Sequence, residues 1–271
     1  MSVKFLYTTV PGRVLLKIIN GTKILTLGEW FVKKPWSAAL IGPFIRHNHI
    51  DMKDFEGVKF GSYAEFFARK KDRTEFDRNP DVLISPCDSM LSIFPIEKDT
   101  LLDIKGSHYE ISDLIPDHEV AEKFAEGVCF IFRLQASDYH HFCYIDDCYH
   151  GEAHLIPGLL HSVQPIACEK VPVYRLNRRN WSLMETVNFG LVAQIEVGAL
   201  LVGGIVHEKN RRNAKKGEEM GHFELAGSTV VLLFQKEVKE SMGILAKYRD
   251  AIGGKREIQV RQGQAIGAIR I

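Results

Sequence analysis

The residues with the clearest capacity for chemistry lie near the C-terminus, where a Gly227-Ser228-Thr229 step leads into the apolar segment 230–234. A serine held at a strained Gly-Ser bond can attack its own peptide carbonyl. The attack cuts the chain and, after elimination, leaves a pyruvoyl group at residue 228. Glycine, serine and threonine are also ordinary turn residues. The tripeptide alone therefore favours a tight turn before a core strand, and the rest of the chain must decide between the two interpretations.

A second candidate is Asp88, in the turn Ser85-Pro86-Cys87-Asp88 between two apolar segments. An aspartate in such a turn usually caps its own backbone. A carboxylate at this position could also orient a histidine or stabilise its cation, which is the role of the third member of a catalytic triad.

A third candidate is the segment Ser137–Cys143, which directly follows a predicted strand and contains His140 and His141. With Cys148, His150 and His154 it resembles a metal-ligand cluster. No C-x-x-C pair occurs, so the pattern does not favour a structural zinc site. Cys143 would be a nucleophile only if its surroundings lowered its pKa. A polar surface loop remains the alternative for each of these histidines.

The elements that must position these residues begin with helices. Apolar residues of the first third recur at helical spacing with basic residues between them, and we expect Gly21, Gly28, Pro35 and Pro43 to break the helices. Basic residues beside Trp and Phe suit a helix that lies in a membrane interface. A helical cap on the protein's own core explains the same pattern equally well.

Residues 60–75 predict one more short helix, with Ser62 as N-cap and Glu65 in the capping-box position. From about residue 80, short apolar segments separated by glycine-containing turns predict strands. The expected fold class is α+β: N-terminal amphipathic helices and a mostly antiparallel β core, barrel-like or sandwich-like. The expected regions are a helical membrane-interface region at 1–76 and a β-rich catalytic core at 77–271.

Composition narrows the function classes. The chain has 271 residues and a net charge of +1, so bulk charge does not argue for nucleic acid. Five irregularly spaced cysteines indicate reduced thiols rather than a disulfide framework. The N-terminal sequence lacks the features expected of a signal peptide, and no apolar run is long enough to span a bilayer.

Several short motifs, in order along most of the chain, resemble the phosphatidylserine decarboxylase family. Each is weak alone, and the ordered set is strong. The matching segments are Ile50–Lys53 with Tyr63–Arg69, Ser85-Pro86-x-Asp88, Lys105-Gly106 with Tyr109 and Leu114, Asp138-Tyr139-His140, Val197-Gly198-Ala199 with Val202-Gly203, and Gly217–Phe223 with Gly227-Ser228-Thr229.

The resemblance implies a proenzyme that cleaves itself between Gly227 and Ser228 into a large chain (1–227) and a small chain (228–271). Ser228 becomes a pyruvoyl cofactor, without PLP or metal. Its carbonyl forms a Schiff base with the serine amine of phosphatidylserine, and decarboxylation yields phosphatidylethanolamine. The implied setting is an anionic membrane on the cytoplasmic side of the cell membrane, with the protein bound peripherally. The two chains stay associated after cleavage, a homodimer is plausible from the family, and nucleic acid is not a partner.

Carried over by position, Asp88 corresponds to the family's relay aspartate and His140 to the histidine that assists decarboxylation. The family's base, which activates the serine, is replaced here by Cys143, and a thiol is a poor substitute for a neutral imidazole. We therefore expect His141 or His161 to activate Ser228.

Two alternatives remain. One is a pyruvoyl decarboxylase for another substrate with an amino-acid head, such as a soluble amino acid. The aromatic and basic N-terminal helices argue against it, because a soluble substrate needs no interface anchor. The other is a β module that binds membranes and does not cleave itself.

Overall fold

A computed structural model describes residues 3–22, 24–72, 74–99, 101–104, 107–200, 204–208, 212–225 and 227–269. Two of the motif fragments, Lys105-Gly106 and Val202-Gly203, lie outside these ranges. No peptide bond in the described part is cis.

Most of the helices are short, and the five of the N-terminal region precede the first strand. The helices are α1 (Val3–Thr8), α2 (Val10–Gly21), α3 (Ile24–Val32), α4 (Ile41–Asn48), α5 (Tyr63–Phe67), α6 (Ile111–Leu114), α7 (His118–Glu122), α8 (Pro165–Cys168), α9 (Val173–Leu176) and α10 (Lys236–Ser241). Three 3-10 turns supplement them, at Pro35–Leu40, Lys53–Phe55 and Ala246–Ala251.

The described strands begin at residue 82, with helices α6 to α10 among them. They are β1 (Val82–Ile84), β2 (Ser89–Pro95), β3 (Leu101–Ile104), β4 (Ser107–Glu110), β5 (Val128–Leu134), β6 (His141–Cys143), β7 (Cys148–His150), β8 (His154–Ile156), β9 (Arg179–Thr186), β10 (Leu191–Val197), β11 (Ile205–His207), β12 (Arg212–Ala214), β13 (Glu219–Phe223), β14 (Ser228–Phe234), β15 (Met242–Ile244), β16 (Ile258–Val260) and β17 (Ala265–Ile269).

The expected helix breaks are only partly correct. Helix α2 ends at Gly21, and Pro35 opens a 3-10 turn. Helix α3 continues through Gly28, which costs about 1 kcal/mol relative to alanine without ending the helix. Pro43 lies in the first turn of α4, where its missing N–H has no intrahelical partner to lose.

The predicted helix at 60–75 is shorter than expected, but its cap is confirmed. The Ser62 hydroxyl accepts a hydrogen bond from the Glu65 N–H at 3.1 Å. The Glu65 carboxylate reaches the Gly61 N–H at 2.6 Å, one residue before the position that a capping box uses.

A nine-stranded sheet forms the centre of the molecule. Its main order is β12-β7-β9-β10-β14-β5-β2-β16, with β8 also paired to β9, and the paired strands are antiparallel. Strand β14 lies between β10 and β5, and all seven of its residues are buried. This central position explains the uninterrupted apolar run of residues 230–234, since a strand covered on both faces needs no polar alternation.

A three-stranded sheet, β11-β13-β6, packs on one face of the large sheet. The contact between them includes Met220 of β13, whose sulfur lies 3.0 Å from the Gln194 amide nitrogen of β10. Both sheets are open, so the core is not a closed barrel. The α+β class with an antiparallel core is confirmed.

The C-terminal strands join different sheets. β16 pairs with β2 in the large sheet, whereas β17 lies between β1 and β15 in a separate three-stranded sheet. The turn between them contains Gly263 at φ +78°. An alanine there would place its Cβ 2.1 Å from the Glu75 carbonyl oxygen.

The first two helices pack against the β core through one face. Leu6, Tyr7 and Leu16 belong to the main hydrophobic cluster. The Thr9 hydroxyl caps α2 by accepting from the Gly12 N–H at 3.1 Å. The opposite face of these helices leaves large apolar side chains exposed, including Val10 and Val14.

Candidate active site

Ser228 is the first residue of β14 and is fully buried. Its hydroxyl has no hydrogen-bond partner among the residues that the structure describes. Gly227 precedes it with φ +42°, a left-handed conformation that glycine adopts without steric cost. A buried hydroxyl without a partner costs free energy, so a protein usually keeps one only where it has a function. Ser228 is therefore the leading nucleophile candidate.

The strand register brings Asp88 to the same end of the sheet as Ser228. Ser228 pairs with Leu134, and the neighbouring Arg133 pairs with Met90, so Asp88 lies just before the matching end of β2. The half-buried Asp88 carboxylate accepts a hydrogen bond from the Gln262 N–H at 2.8 Å. The carboxylate is thus fixed by the C-terminal segment rather than by its own turn.

Cys143 lies beside this turn, and its N–H donates to the Pro86 carbonyl at 2.9 Å. Burial raises the pKa of the Cys143 thiol to about 12, and the negative charge of Asp88 adds to the shift. The thiol is therefore neutral at physiological pH and is not a base.

The Asp138-Tyr139-His140 motif holds the backbone of Gln135, just beyond the end of β5. The Asp138 carboxylate accepts from the Gln135 N–H at 2.7 Å, and the Nε2 of His140 lies 3.0 Å from the Gln135 carbonyl. Burial raises the pKa of Asp138 to about 6. The motif therefore fixes the strand exit next to Gly227, because Gln135 and Gly227 line the same cavity.

His140 is an uncharged imidazole with a free lone pair. A carbonyl can only accept, so Nε2 carries the hydrogen and Nδ1 is bare. That Nδ1 is buried and has no hydrogen-bond partner in the described part of the chain. Burial, with a smaller contribution from the Arg69 guanidinium, lowers the pKa of His140 to about 3. The ring packs on Phe67 at 4.2 Å between centroids.

His141, the next residue, has both ring nitrogens engaged. Nδ1 lies 2.6 Å from the Glu219 carboxylate, and Nε2 lies 3.1 Å from the Ala68 carbonyl. The ring is stacked between Tyr139 and His222.

His161 lies under the N-terminal helices. Its Nδ1 is 3.1 Å from the Tyr7 hydroxyl, and burial lowers its pKa. The Asn177 amide donates to the His161 carbonyl at 2.8 Å and to the Gly198 carbonyl at 2.7 Å. Gly198 follows Val197, which pairs with Thr229, so His161 is tied to the strand next to Ser228.

A cavity of about 720 Å³ opens at the scissile position. Helices α1 and α2 contribute apolar side chains to the lining, which also includes the end of β5 and Gly227, the residue before β14. Its lining comprises Val3, Leu6, Ile19, Asn48, Arg133–Ser137, Ser162–Pro165, Ala199, Leu200 and Gly227. The lining thus combines polar residues with apolar side chains of α1 and α2, which suits a ligand with a polar head and an apolar tail.

A buried polar pair that was not predicted from the sequence lies on the same sheet face as Ser228. Glu196 pairs across the sheet with Val230, two residues after Ser228, and its carboxylate lies 3.2 Å from the His207 Nε2. Burial alone would lower the pKa of His207, and the Glu196 charge outweighs it and raises that pKa. An acid in an apolar strand, at Ile195-Glu196-Val197, was the available sequence signal.

Comparison with known proteins identifies the class. The phosphatidylserine decarboxylase family model matches residues 63–268. A "Phosphatidylserine decarboxylase proenzyme 2" of Clostridium acetobutylicum is 39% identical over 98% of this chain and 91% of its own length. "Phosphatidylserine decarboxylase proenzyme" relatives of Clostridium botulinum (Eklund 17B) and Clostridium kluyveri are 35% and 34% identical, over the same shares of both chains.

The chain belongs to the phosphatidylserine decarboxylase family. This membership confirms the resemblance found in the ordered motifs and the prediction of an enzyme of this class.

Proposed function

We propose that this protein decarboxylates phosphatidylserine to phosphatidylethanolamine after cleaving itself at the Gly227–Ser228 bond. One observation carries the proposal: Ser228 is buried, its hydroxyl has no partner in the described part of the chain, and it follows a left-handed glycine that lines a cavity of about 720 Å³. Family membership supplies the substrate class.

Self-cleavage begins when the Ser228 Oγ attacks the Gly227 carbonyl carbon and its proton passes to a base. The C–N bond breaks and an ester forms, with the freed amine on residue 228. Loss of the α-proton then expels the Gly227 carboxylate and leaves dehydroalanine, and water replaces the nitrogen, which departs as ammonia. No oxidant or reductant is required.

We propose His161 as the base for this step, with Asp88 in the relay position. His161 is uncharged, because burial lowers its pKa, and a neutral imidazole is the form that accepts a proton. Its carbonyl is joined through Asn177 to Gly198, beside Ser228 in the sheet. His141, the other candidate, has both nitrogens hydrogen-bonded elsewhere.

Position 228 fits a pyruvoyl group, because the residue is fully buried and its hydroxyl has no hydrogen-bond partner in the described part of the chain. Once formed, the group supplies an electrophilic carbonyl for the substrate amine and an electron sink for decarboxylation. The chain supplies the rest. His140 carries an uncharged Nδ1 acceptor beside the end of β5. Helices α1 and α2, which line the cavity, would exclude water from the carboxylate of the substrate.

We also propose that the region 1–76 binds an anionic membrane on the cytoplasmic side. Large apolar side chains are exposed along its helices: Val10, Val14, Ile18, Leu27, Trp30, Phe31, Trp36 and Leu40. Exposed Arg13, Lys17 and Lys33 accompany them, as in an interfacial helix. The described helices include none with the length and apolarity to cross a bilayer.

After cleavage, the small chain would remain bound through buried strands. Strand β14 is hydrogen-bonded on one side to β10 and on the other to β5, both in the large chain. Its side chains from Thr229 to Phe234 are buried, so dissociation would expose a large apolar area.

Intact mass of the purified protein, followed by an assay on vesicles, tests the proposal. We expect two chains, 1–227 and 228–271, with the small chain lighter than a serine-initiated peptide by one ammonia. Phosphatidylserine vesicles should then yield phosphatidylethanolamine and carbon dioxide. A single uncut chain would instead indicate a membrane-binding module. A cleaved protein that decarboxylates only free amino acids would overturn the substrate assignment.

A further inference from the structure

Three potential metal ligands from distant parts of the sequence meet on the outer side of the small sheet. His141 of β6 pairs directly with His222 of β13, and Glu219 begins β13. One ligand atom from each of the three side chains lies within 4.8 Å of the others. His141 is buried and the other two are partly buried. None of the three lines the cavity beside Gly227, and the self-cleavage proposed above does not use them.

The hydrogen bonds of His141 leave a deficit of positive charge. The Ala68 carbonyl, 3.1 Å from Nε2, can only accept, so Nε2 must carry a hydrogen. In a neutral imidazole Nδ1 is then a bare lone pair, yet it faces the Glu219 carboxylate at 2.6 Å. Two electron-rich atoms at this distance need a cation between them or beside them: a proton or a metal ion.

His222 supplies the observation that favours a metal. Its ring stacks on that of His141 at 4.8 Å between centroids and an angle of 22°. Its Nδ1 is buried and is without a hydrogen-bond partner in the described chain. This nitrogen is therefore available as a metal ligand. A proton on His141 alone would leave it unused.

The surroundings match those of a metal centre. A metal-bound histidine usually donates its other N–H to a backbone carbonyl, as His141 does to Ala68. A ligating carboxylate is usually held through its second oxygen, and Oε2 of Glu219 is paired with the Lys70 ammonium. Tyr139 stacks on the other face of His141 at 4.6 Å and holds the ring in place.

We propose that His141, Glu219 and His222 bind a divalent transition-metal ion, most readily zinc. Two imidazoles and one carboxylate form a common zinc ligand set, and three protein ligands leave a fourth position for water. Zinc bonds of about 2.1 Å require donors roughly 3.4 Å apart, so the His141 Nδ1 and the Glu219 carboxylate oxygen, 2.6 Å apart here, must separate when the ion binds between them.

The ion would join elements that the backbone connects only at long range. His141 and Glu219 are 78 residues apart, and Ala68 belongs to the segment that leaves the helical region. Binding would therefore brace the β6–β13 pair, which leads into the Gly227–Ser228 bond, against residues 68–70. This role is structural and requires no step of the decarboxylation.

The test uses protein without a polyhistidine tag, stripped with a chelator and dialysed against zinc. Elemental analysis should find about one zinc per chain, and zinc should raise the Tm. The variant His222→Phe keeps an aromatic ring on His141 but lacks a ligand, and should bind zinc at least about tenfold more weakly. The matched control is His154→Phe, which replaces a histidine stacked on Trp181 and should bind like the unchanged protein.

Cobalt substitution identifies the ligands. Tetrahedral Co²⁺ held by nitrogen and oxygen should give d–d absorption without a thiolate charge-transfer band, which excludes Cys143, the strand partner of Glu219. Glu219→Gln, which can still donate to the His141 Nδ1, should lose the cobalt spectrum while remaining folded. No retained zinc in the unchanged protein, or equal affinity in His222→Phe, would overturn the proposal in favour of a protonated His141.

Discussion

The N-terminal helices and the β core depart from the usual arrangement of side chains in opposite ways. The helices leave Trp30 51% and Trp36 56% exposed, whereas the core buries Glu196 and Ser228 completely. Each departure costs free energy. The exposed aromatic side chains leave apolar surface in contact with water, and the buried polar groups lose their hydration. Both costs fall where the proposed lipid substrate would bind: the exposed helices would contact its membrane, and the buried core would contact its reacting head group.

The largest effect is expected from Ser228→Ala, which removes the proposed nucleophile of self-cleavage. The variant should stay a single chain of 271 residues and have no decarboxylase activity, because no pyruvoyl group can form. Intact mass and a Tm measurement check this, and the Tm should be nearly unchanged, since the hydroxyl has no partner in the described chain.

The neighbouring Thr229→Val variant is the matched control, because its hydroxyl is also buried without a described partner. We expect Thr229→Val to cleave itself. If both variants remained uncut, the hydroxyl of Ser228 would not be what distinguishes this end of β14.

Next in size is the loss of the proposed base. His161→Gln should slow self-cleavage by about 10²–10⁴-fold, the usual contribution of a general base. The time course of two-chain formation in a cell-free synthesis reaction measures it. His141→Gln serves as the parallel variant and should cleave much faster than His161→Gln. Normal cleavage in both would move the role to another group, with His207 beside Glu196 the first to examine.

His140 should separate the two reactions of the core. His140→Gln is expected to process itself into two chains and then to decarboxylate about 10²–10⁴-fold more slowly, because we assign its Nδ1 to the second reaction alone. The readouts are intact mass for the first reaction and kcat on phosphatidylserine vesicles for the second. An uncut His140→Gln protein would contradict this division of roles.

Structural features that depend on local sequence pattern were predictable from the sequence. The apolar run after Ser228 predicts a buried strand, and Ser62 predicts a cap, because both depend on near neighbours. The Glu196–His207 pair and the His141–Glu219–His222 cluster depend on strand pairing across long stretches of chain. Periodicity carries no information on such pairing. For the same reason the local pattern of residues 258–267 indicates two strands around a turn but does not indicate that they join different sheets, as β16 and β17 do.

Burial in the core should also make stability depend on pH. The folded protein holds the His140 pKa near 3, whereas the unfolded chain has an ordinary value of about 6.5. The unfolded state therefore takes up a proton first, and stability is lost as the pH falls below about 6.5. Between pH 7 and pH 5 this histidine should cost about 2 kcal/mol of unfolding free energy. Urea unfolding of His140→Gln should show a correspondingly weaker decline, and an unchanged decline would mean that His140 is accessible to protons.

The smallest effect is expected outside, on the helices. Replacing Trp30 and Trp36 by serine should reduce activity on anionic vesicles by about tenfold, since each exposed ring contributes only part of its burial energy to the interface. Self-cleavage and activity on a short-chain, water-soluble phosphatidylserine should be unchanged, because neither ring lines the cavity. The same double substitution at Tyr149 and Leu155, which are exposed on the β core, is the control and should leave vesicle activity intact. Equal losses on soluble and vesicle substrates would mean that the exposed aromatic face serves the fold of the helices rather than the membrane.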